Sequence, residues 1–334
     1  MKDLQNIQNT HPVVWMFSGQ GSQYFQMGRQ LYEQDETFHA WMKSLDDNVR
    51  DYIGQSLLDI IYDTGHERSL PFDRLIHTHP ALFMVQYALA KSLLARGLPA
   101  PDFLIGASLG EFIAISLAGD THVENILFNL IKQARLFDEY CNAGAMLLVI
   151  DHIDTFSTTP AFSKDCELAG INFDHCFVVS GPRTGILQTR KSLTKQNIAC
   201  QLLPVSIAFH SSWMDEVHEI FIQQFPEQIC RRLHTPVISC ALPVPEQLTR
   251  FSSTYWWHVI RQPIAFHLAI NTFHQSSPNA VYLDLGPAGN MAAATKYNLP
   301  SSIHYRILPT MTPFGRDLEN IEIARLRLLE LDQR

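Results

Sequence analysis

The sequence of 334 residues has no long uninterrupted hydrophobic run and no excess of basic residues. A membrane-spanning helix needs about 20 consecutive apolar residues, so the first absence argues against such a helix. The 25 lysines and arginines are outnumbered by 33 aspartates and glutamates, which gives a net charge of −8 and argues against a nucleic-acid partner. Residues 1–11 are polar, so we expect no secretory signal, no membrane association and a cytoplasmic protein.

Closely spaced cysteine pairs are also absent. The six cysteines are Cys141, Cys166, Cys176, Cys200, Cys230 and Cys240. Because they form no Cys-x-x-Cys pair, the sequence predicts neither a zinc site nor a disulfide framework, and no metal ion is expected. Reduced thiols are typical of a cytoplasmic protein.

Hydrophobic residues make up 46% of the chain, which is enough to bury a large core in two domains or in one large domain with an insertion. Residues 143–204 differ in pattern from the rest. They predict strand, weak helix, strand, strand, helix and strand, in the order typical of a ferredoxin-like subdomain. We therefore assign residues 143–204 to a small subdomain and residues 1–142 and 205–334 to a large one.

Residues 106–111 read Gly-Ala-Ser-Leu-Gly-Glu and lie between an apolar run at 103–105 and a helical pattern at 112–118. Strand, Gly-x-Ser-x-Gly and helix in this order are the pattern of a nucleophile elbow. In such a turn Gly106 and Gly110 let the strand and the helix approach closely, and Ser108 projects towards the ligand. The residues alone leave two interpretations open, a catalytic serine and a tight structural turn.

A serine nucleophile needs a general base, which is usually a histidine. Among the 15 histidines, His210 stands out because it follows Ser108 in the chain and precedes a predicted helix. Asp215 is close in sequence, but no acid is placed obviously to orient the imidazole. A Ser–His dyad with a backbone carbonyl on the second nitrogen, a triad with Asp215 and a surface histidine at a helix start all stay open.

Three stretches, in the right order, resemble the malonyl-CoA:acyl carrier protein transacylases and the acyltransferase domains of polyketide synthases. Residues 17–23 (Phe-Ser-Gly-Gln-Gly-Ser-Gln) are similar to their Phe-Pro-Gly-Gln-Gly-Ser-Gln opening, residues 106–111 to their Gly-His-Ser-x-Gly-Glu elbow, and residues 208–211 to their Ala-Phe-His-Ser motif. The resemblance implies an α/β fold, in which an α/β-hydrolase-like body with a parallel sheet carries an inserted small ferredoxin-like subdomain. The active site would lie in the cleft between them.

The same resemblance implies roles for individual residues. Ser108 would be the nucleophile that takes the acyl group, and His210 would be the base. The backbone N–H groups of Gln20 and Leu109 would form the oxyanion hole. The backbone carbonyl of Val259, where the family usually has Asn or Gln, would hold the second nitrogen of the histidine.

The largest departure from the family lies in the helix after the elbow. Members that load malonyl or methylmalonyl units carry an arginine there, which pairs with the free carboxylate of the unit. A gapless count from Ser108 places Gln133 at that position, and Arg135, two residues away, falls on another face of the helix. A neutral glutamine compensates a carboxylate poorly and suits an uncharged acyl chain. We also assign His79, which replaces a family glutamine, and Phe209 to the acyl pocket.

With these departures, the sequence resembles the discrete acyl hydrolases that serve trans-acyltransferase polyketide synthases. Those proteins remove stalled short acyl groups from carrier proteins. The resemblance therefore implies a serine-dependent hydrolase of short uncharged acyl thioesters that needs no cofactor. Its partners would be acyl carrier protein domains bearing phosphopantetheine, with acyl-CoA as a further donor, and we expect a monomer. Two alternatives stay open: a transferase that loads malonyl or another acyl unit from CoA onto a carrier protein, and a non-catalytic docking protein for carrier proteins.

Overall fold

The computed structural model describes residues 11–119, 121–162, 165–225, 233–241, 247–248 and 252–333. Cys230 and residues 1–10 lie outside the described residues. None of the helices in the described part of the chain combines the length and the hydrophobicity of a membrane span.

The described strands form two separate sheets. The strands are β1 (Val13–Phe17), β2 (Phe103–Gly106), β3 (Gly144–Ile150), β4 (Glu167–Phe173), β5 (Cys176–Pro182), β6 (Ala199–Leu202), β7 (Val237–Ser239), β8 (Gln247–Leu248), β9 (Val281–Asp284) and β10 (Ile307–Pro309). The spatial order is β10-β9-β1-β2-β7-β8 in the larger sheet and β4-β5-β3-β6 in the smaller one.

The helices pack around these sheets. They are α1 (Arg29–Gln34), α2 (Glu36–Ile53), α3 (Leu57–Ile61), α4 (Leu75–Ala95), α5 (Leu109–Ala118), α6 (Val123–Tyr140), α7 (Asp154–Thr158), α8 (Arg183–Lys195), α9 (His218–Gln224), α10 (Ser253–Arg261), α11 (Phe266–Ser276), α12 (Asn290–Asn298) and α13 (Asp317–Asp332). Two 3₁₀ turns cover Ser212–Val217 and Ser301–Arg306.

Strand β1 lies at the centre of the larger sheet and is buried on both faces. Val13, Trp15 and Phe17 belong to one hydrophobic core, which includes α4 and α5, whereas Val14 and Met16 pack into a second core with α11 and α12. Because side chains alternate across a strand, an uninterrupted apolar strand needs helices on both faces, as in parallel α/β sheets.

The register of the larger sheet brings three loops to one edge. Strand β1 is parallel to β2 and β9, with Phe17 opposite Gly106 and Met16 opposite Asp284. The segments that leave the carboxyl ends of these strands therefore meet, and ligands of open α/β sheets bind at this edge.

The smaller sheet confirms the ferredoxin-like prediction. All its pairings are antiparallel, and the first of its two helices, α7, has only five residues, which agrees with a weak helical pattern there. The sheet spans residues 144–202, inside the predicted limits of 143–204, and the division at those two residues stays a prediction.

Backbone hydrogen bonds connect the smaller sheet to the larger part of the chain. Gly144 N donates to Ser206 O (2.8 Å), and Ile264 N donates to Ala169 O (2.8 Å). The α/β fold with an inserted small sheet agrees with the predicted fold class, and the two parts enclose a cleft.

Candidate active site

Ser108 lies at the sharp turn between β2 and α5, as the elbow pattern predicts. Its backbone has φ 54° and ψ −124°, in the half of conformational space that L-residues rarely adopt. The turn brings Gly110 against β1, where a Cβ atom would lie 2.0 Å from the carbonyl oxygen of Phe17. Only glycine fits at this position, so its place in the motif has a steric cause.

His210 faces the serine. Its Nε2 lies 2.9 Å from Ser108 Oγ, and its Nδ1 lies 2.8 Å from the backbone oxygen of Gln262. A carbonyl can only accept a hydrogen bond, so Nδ1 carries the proton and Nε2 is free to accept the hydroxyl proton of Ser108. Burial lowers the pKa of His210 to about 4, so the ring is neutral at neutral pH. The pair has the geometry of a nucleophile and its general base.

The prediction that Val259 orients the histidine is wrong in position, although a backbone carbonyl does contact Nδ1. Helix α10 ends at Arg261, and Gln262 caps it with an extended backbone (φ −77°, ψ 150°) that turns its carbonyl towards His210. Val259 lies inside the helix, where carbonyl groups align with the helix axis.

Asp215 does not contact His210. Its carboxylate binds the guanidinium of Arg261 at 2.6 Å and 3.2 Å. The arrangement is therefore a Ser–His pair held by a backbone carbonyl, and the triad alternative has no support in this geometry.

The two backbone amides predicted for the oxyanion hole lie on neighbouring segments. Leu109 is the first residue of α5, and Gln20 lies in the loop after β1. Gly19, next to Gln20, approaches so closely that a Cβ atom there would lie 2.9 Å from Ser108 Cβ and 3.2 Å from Leu109 N. Neither the Gln20 nor the Leu109 amide donates a hydrogen bond to the described part of the chain. Both are thus available beside Ser108.

Gln86 holds this loop in place and was missed by the sequence reasoning. Its side chain is fully buried, accepts a hydrogen bond from Ser18 N (2.9 Å) and donates one to Ser18 O (3.0 Å). The sequence carried a signal for it, because Gln86 is the only polar residue in the apolar stretch 81–90 of α4.

Two buried carboxylates support the same edge and were also missed. Glu111 accepts hydrogen bonds from the Ser239 hydroxyl, from the amides of Cys240 and Ala241, and from the Tyr255 hydroxyl. Burial outweighs these bonds and raises its pKa to about 7.

Asp284 plays the corresponding part at the end of β9. It accepts hydrogen bonds from Gly286 N and Ala292 N (2.8 Å each), and burial raises its pKa to about 7. Acidic residues at strand ends are a signal of such loop anchors, but the sequence does not show which ones are buried.

A cleft of about 850 Å³ opens above the Ser–His pair, between the large part and the smaller sheet. It is lined by the three residues predicted for the acyl pocket, Gln133, His79 and Phe209. Gln133 and His79 are 3% and 2% exposed. Arg135 is exposed and binds the backbone oxygen of Tyr52 outside the cleft, so the predicted register of α6 agrees with the structure.

Burial lowers the pKa of His79 to about 3, so its ring is neutral. Its ring centroid lies 6.0 Å from that of Phe209, which in turn lies 5.5 Å from that of Phe137. Buried aromatic rings therefore lie on this side of His79. Within the described residues, no group of three or more His, Cys, Asp or Glu side chains could hold a metal ion.

Comparisons with known proteins agree with this architecture. The family model described as "Acyl transferase domain" matches residues 14–332. The chain is 38% identical over 311 residues to "Polyketide biosynthesis acyltransferase homolog BaeD" of Bacillus velezensis, covering 93% of this chain and 95% of the relative. It is 35% identical over 310 residues to "Polyketide biosynthesis acyltransferase homolog PksD" of Bacillus subtilis, covering 93% and 94%.

Solved structures show the same fold. The acyltransferase domain from the second module of the salinomycin polyketide synthase aligns with a TM-score of 0.78 and 26% identity, over 94% of this chain and 72% of that one. A loading acyltransferase from the avermectin modular polyketide synthase aligns with a TM-score of 0.83 at 21% identity, over 95% and 99%, which is a likeness of fold. The chain belongs to the acyl transferase domain family.

Proposed function

We propose that the protein is an acyl hydrolase that removes short, uncharged acyl groups from acyl carrier protein thioesters through an acyl-Ser108 intermediate. The observation that carries the choice of acyl group is the neutral, buried Gln133 in the wall of the cleft. The Ser–His pair and the family membership support thioester chemistry at Ser108.

In the first half-reaction, Ser108 Oγ attacks the thioester carbonyl carbon and its proton passes to Nε2 of His210. The carbon–sulfur bond breaks, the thiol of the carrier protein leaves with that proton, and an ester remains on Ser108. In the second half-reaction, water attacks the ester carbonyl and gives a proton to Nε2. Ser108 Oγ takes this proton back as the free acid leaves, so the same base serves both steps.

The negative charge that develops on the carbonyl oxygen needs preorganised donors. The amides of Gln20 and Leu109 supply them in this proposal, and the positive end of α5 lies behind the second. The bonds from Gln86 to Ser18 support the arrangement, since they keep the first amide from moving away.

The charge distribution of the cleft argues against a malonyl carboxylate. The arginines that line its described part, Arg68 and Arg183, are both exposed, whereas Gln133 is buried. A carboxylate at Gln133 would lose its hydration without a cationic partner, which is unfavourable. An uncharged acyl chain carries no such cost.

The choice of water as second nucleophile and of acyl carrier protein as partner is supported by the resemblance to discrete acyl hydrolases. The names of BaeD and PksD assign those two relatives to polyketide biosynthesis. We propose the corresponding role here, with phosphopantetheine on the carrier protein as part of the substrate and no cofactor on the enzyme.

The first prediction concerns Gln133→Arg. The wild type should be acylated faster by acetyl- than by malonyl-loaded carrier protein, because only the uncharged group avoids a buried, unpaired charge. The variant supplies a charge-assisted partner for the carboxylate, so it should raise the malonyl-to-acetyl ratio of acylation rates by about one to two decades. Intact-protein mass spectrometry of the acyl-enzyme measures both rates.

A matched control places the same charge outside the cleft. Asn125→Arg, on the exposed face of α6, should leave the ratio unchanged.

A second experiment adds unloaded carrier protein to the acyl-enzyme and distinguishes water from the carrier thiol as the second nucleophile. Hydrolysis gives free acid, and transfer gives a loaded carrier protein. A wild type that prefers malonyl, or that loads the carrier protein faster than it hydrolyses, contradicts the proposal and favours the loading transferase.

A further inference from the structure

Two fully buried side chains of the cleft, His79 and Gln133, have a polar atom without a hydrogen-bond partner, as does the partly buried Gln20 at Oε1. Among the described residues, neither Nδ1 of His79 nor Oε1 of Gln133 has one, although the side chains are 2% and 3% exposed. Buried polar atoms in folded proteins are nearly always paired, so two such atoms in one cleft wall indicate groups that pair with a ligand.

The hydrogen-bonding character of His79 follows from its surroundings. The backbone carbonyl of Leu130 lies beside the ring, and burial lowers the pKa of the ring to about 3, which leaves it neutral with a single N–H. Because a carbonyl can only accept, the ring nitrogen that faces it carries this N–H, and the other ring nitrogen is an acceptor that needs a donor from elsewhere.

Gln133 lines the same cleft as His79. It follows Leu130 by three residues in α6, so both residues are on the same face of the helix. Its amide offers a carbonyl oxygen and an NH₂ group, which lets it accept from a ligand and donate to it. The rings of Phe209 and Phe112, both buried, also line the cleft, so apolar surface for an acyl chain is present in the same cleft as the polar pair.

We infer that His79 and Gln133 form a subsite that binds a hydroxyl group on the acyl chain, so that short hydroxyacyl thioesters are the favoured substrates. A hydroxyl donates one hydrogen bond and accepts others, which suits an imidazole nitrogen together with an amide. A keto group has no donor for the imidazole, and a methylene leaves both polar groups unpaired. The inference rests on the proposed function, since it names the substrate class of that same pocket.

The test compares acyl groups on one carrier protein. Butyryl, 3-hydroxybutyryl, 4-hydroxybutyryl and 3-oxobutyryl groups are loaded, and kcat/KM for acylation of Ser108 is measured by intact-protein mass spectrometry. One hydrogen bond should make one of the two hydroxyacyl groups react about three- to tenfold faster than butyryl, with no such gain for 3-oxobutyryl.

Variants then assign the gain to the two residues. His79→Phe keeps a ring but removes the acceptor, and Gln133→Met keeps the length but removes the amide, so each should abolish the hydroxyl advantage. His79→Gln retains an acceptor and should preserve part of it. His77→Phe is the matched control, because His77 is buried in the same helix but pairs with Gln55 at 2.7 Å and does not line the cleft.

The outcomes separate this inference from the proposed function. Equal rates for butyryl and both hydroxybutyryl groups in the wild type, with all three faster than malonyl, overturn the subsite and leave the proposed function standing. An advantage that persists in both His79→Phe and Gln133→Met overturns the assignment to these residues. Failure of every acyl group to form an adduct on Ser108 contradicts the proposed function itself. The wild-type comparison needs no variant, so a misfolded variant does not decide the matter.

Discussion

At the scale of single residues, the two members of the Ser–His pair both have strained backbones. Ser108 has φ 54° and His210 has φ 59°, a conformation that costs about 1–3 kcal/mol for a residue with a side chain. Each is held by its neighbours: Ser108 by the turn into α5, and His210 by a bond from its backbone N to Ile260 O (3.0 Å). These neighbours thus hold the 2.9 Å contact in place before substrate binds, as preorganised catalysis requires.

The second prediction contrasts His210→Ala with Asp215→Asn. Loss of the base should slow acylation and deacylation by about three decades or more. Asp215 is more than half exposed and pairs with Arg261, so Asp215→Asn should change both rates by no more than about threefold. Single-turnover measurements of adduct formation and decay give both rates. A loss for Asp215→Asn similar to that for His210→Ala would mean a triad and contradict the dyad geometry.

The sequence predicted those residues of the site that motifs and chain order define. Ser108, His210 and Gln133 occupy their expected places because a fixed spacing along one turn or helix translates directly into geometry. Val259 was wrong because the orienting carbonyl depends on where α10 ends, and helix ends shift by a residue or two without a clear signal. Gln86 was missed because its partner, Ser18, is 68 residues away.

At the scale of elements, α5 is positioned by a carboxylate as well as by the elbow glycines. Glu111 lies in the first turn of α5 and binds the backbone of Cys240 and Ala241, just after β7, and the Tyr255 hydroxyl of α10. One side chain therefore joins the helix that begins at Leu109 to the helix whose cap contacts His210. Because Glu111 is buried, the stability that these contacts give also depends on pH.

The third prediction follows from the pKa of Glu111, which burial raises to about 7 from its ordinary value of 4.5. A carboxyl group with a raised pKa binds a proton more tightly in the folded state, so it stabilises the fold below about pH 4.5, and that contribution is lost as the pH rises to about 7. Glu111→Gln mimics the protonated form, so this residue no longer makes the stability fall as the pH rises. The difference in free energy of unfolding, variant minus wild type, should therefore rise by about 1–3 kcal/mol between pH 5 and pH 8.

Urea denaturation at several pH values measures this difference. Glu124→Gln, at the exposed start of α6, is the matched control and should show a flat difference over the same range. Taking the difference removes the contributions of the buried histidines, which both proteins share. A flat difference for Glu111→Gln would show that the carboxylate is already ionised in the folded protein at pH 5.

At the scale of the whole molecule, the order of strands and helices predicted the smaller sheet, whereas the family resemblance implied the parallel sheet of the larger part. Strands β1 and β3 are apolar runs that cannot be exposed, and the order of elements in residues 144–202 is specific to one topology. The residues that join the two parts could not be predicted, because these contacts are between residues far apart in sequence. Gly170 beside Ile264 and Gly144 beside Ala208 are two of these.

The last prediction tests whether the contact between Gly144 and Ala208 determines the geometry of the cleft. A Cβ atom on Gly144 would lie 2.2 Å from Ala208 N, a distance that backbone cannot accept without moving. Gly144→Ala should therefore push the smaller sheet away from the segment that leads to His210, lower the free energy of unfolding by about 1–3 kcal/mol and slow acylation of Ser108. Gly65→Ala is the control, since a Cβ atom there meets only the flexible Asp63 side chain at 3.3 Å. Chemical denaturation and acylation rates are measured on both variants. If Gly144→Ala loses stability but keeps the wild-type acylation rate, the contact between Gly144 and Ala208 supports the fold without positioning His210.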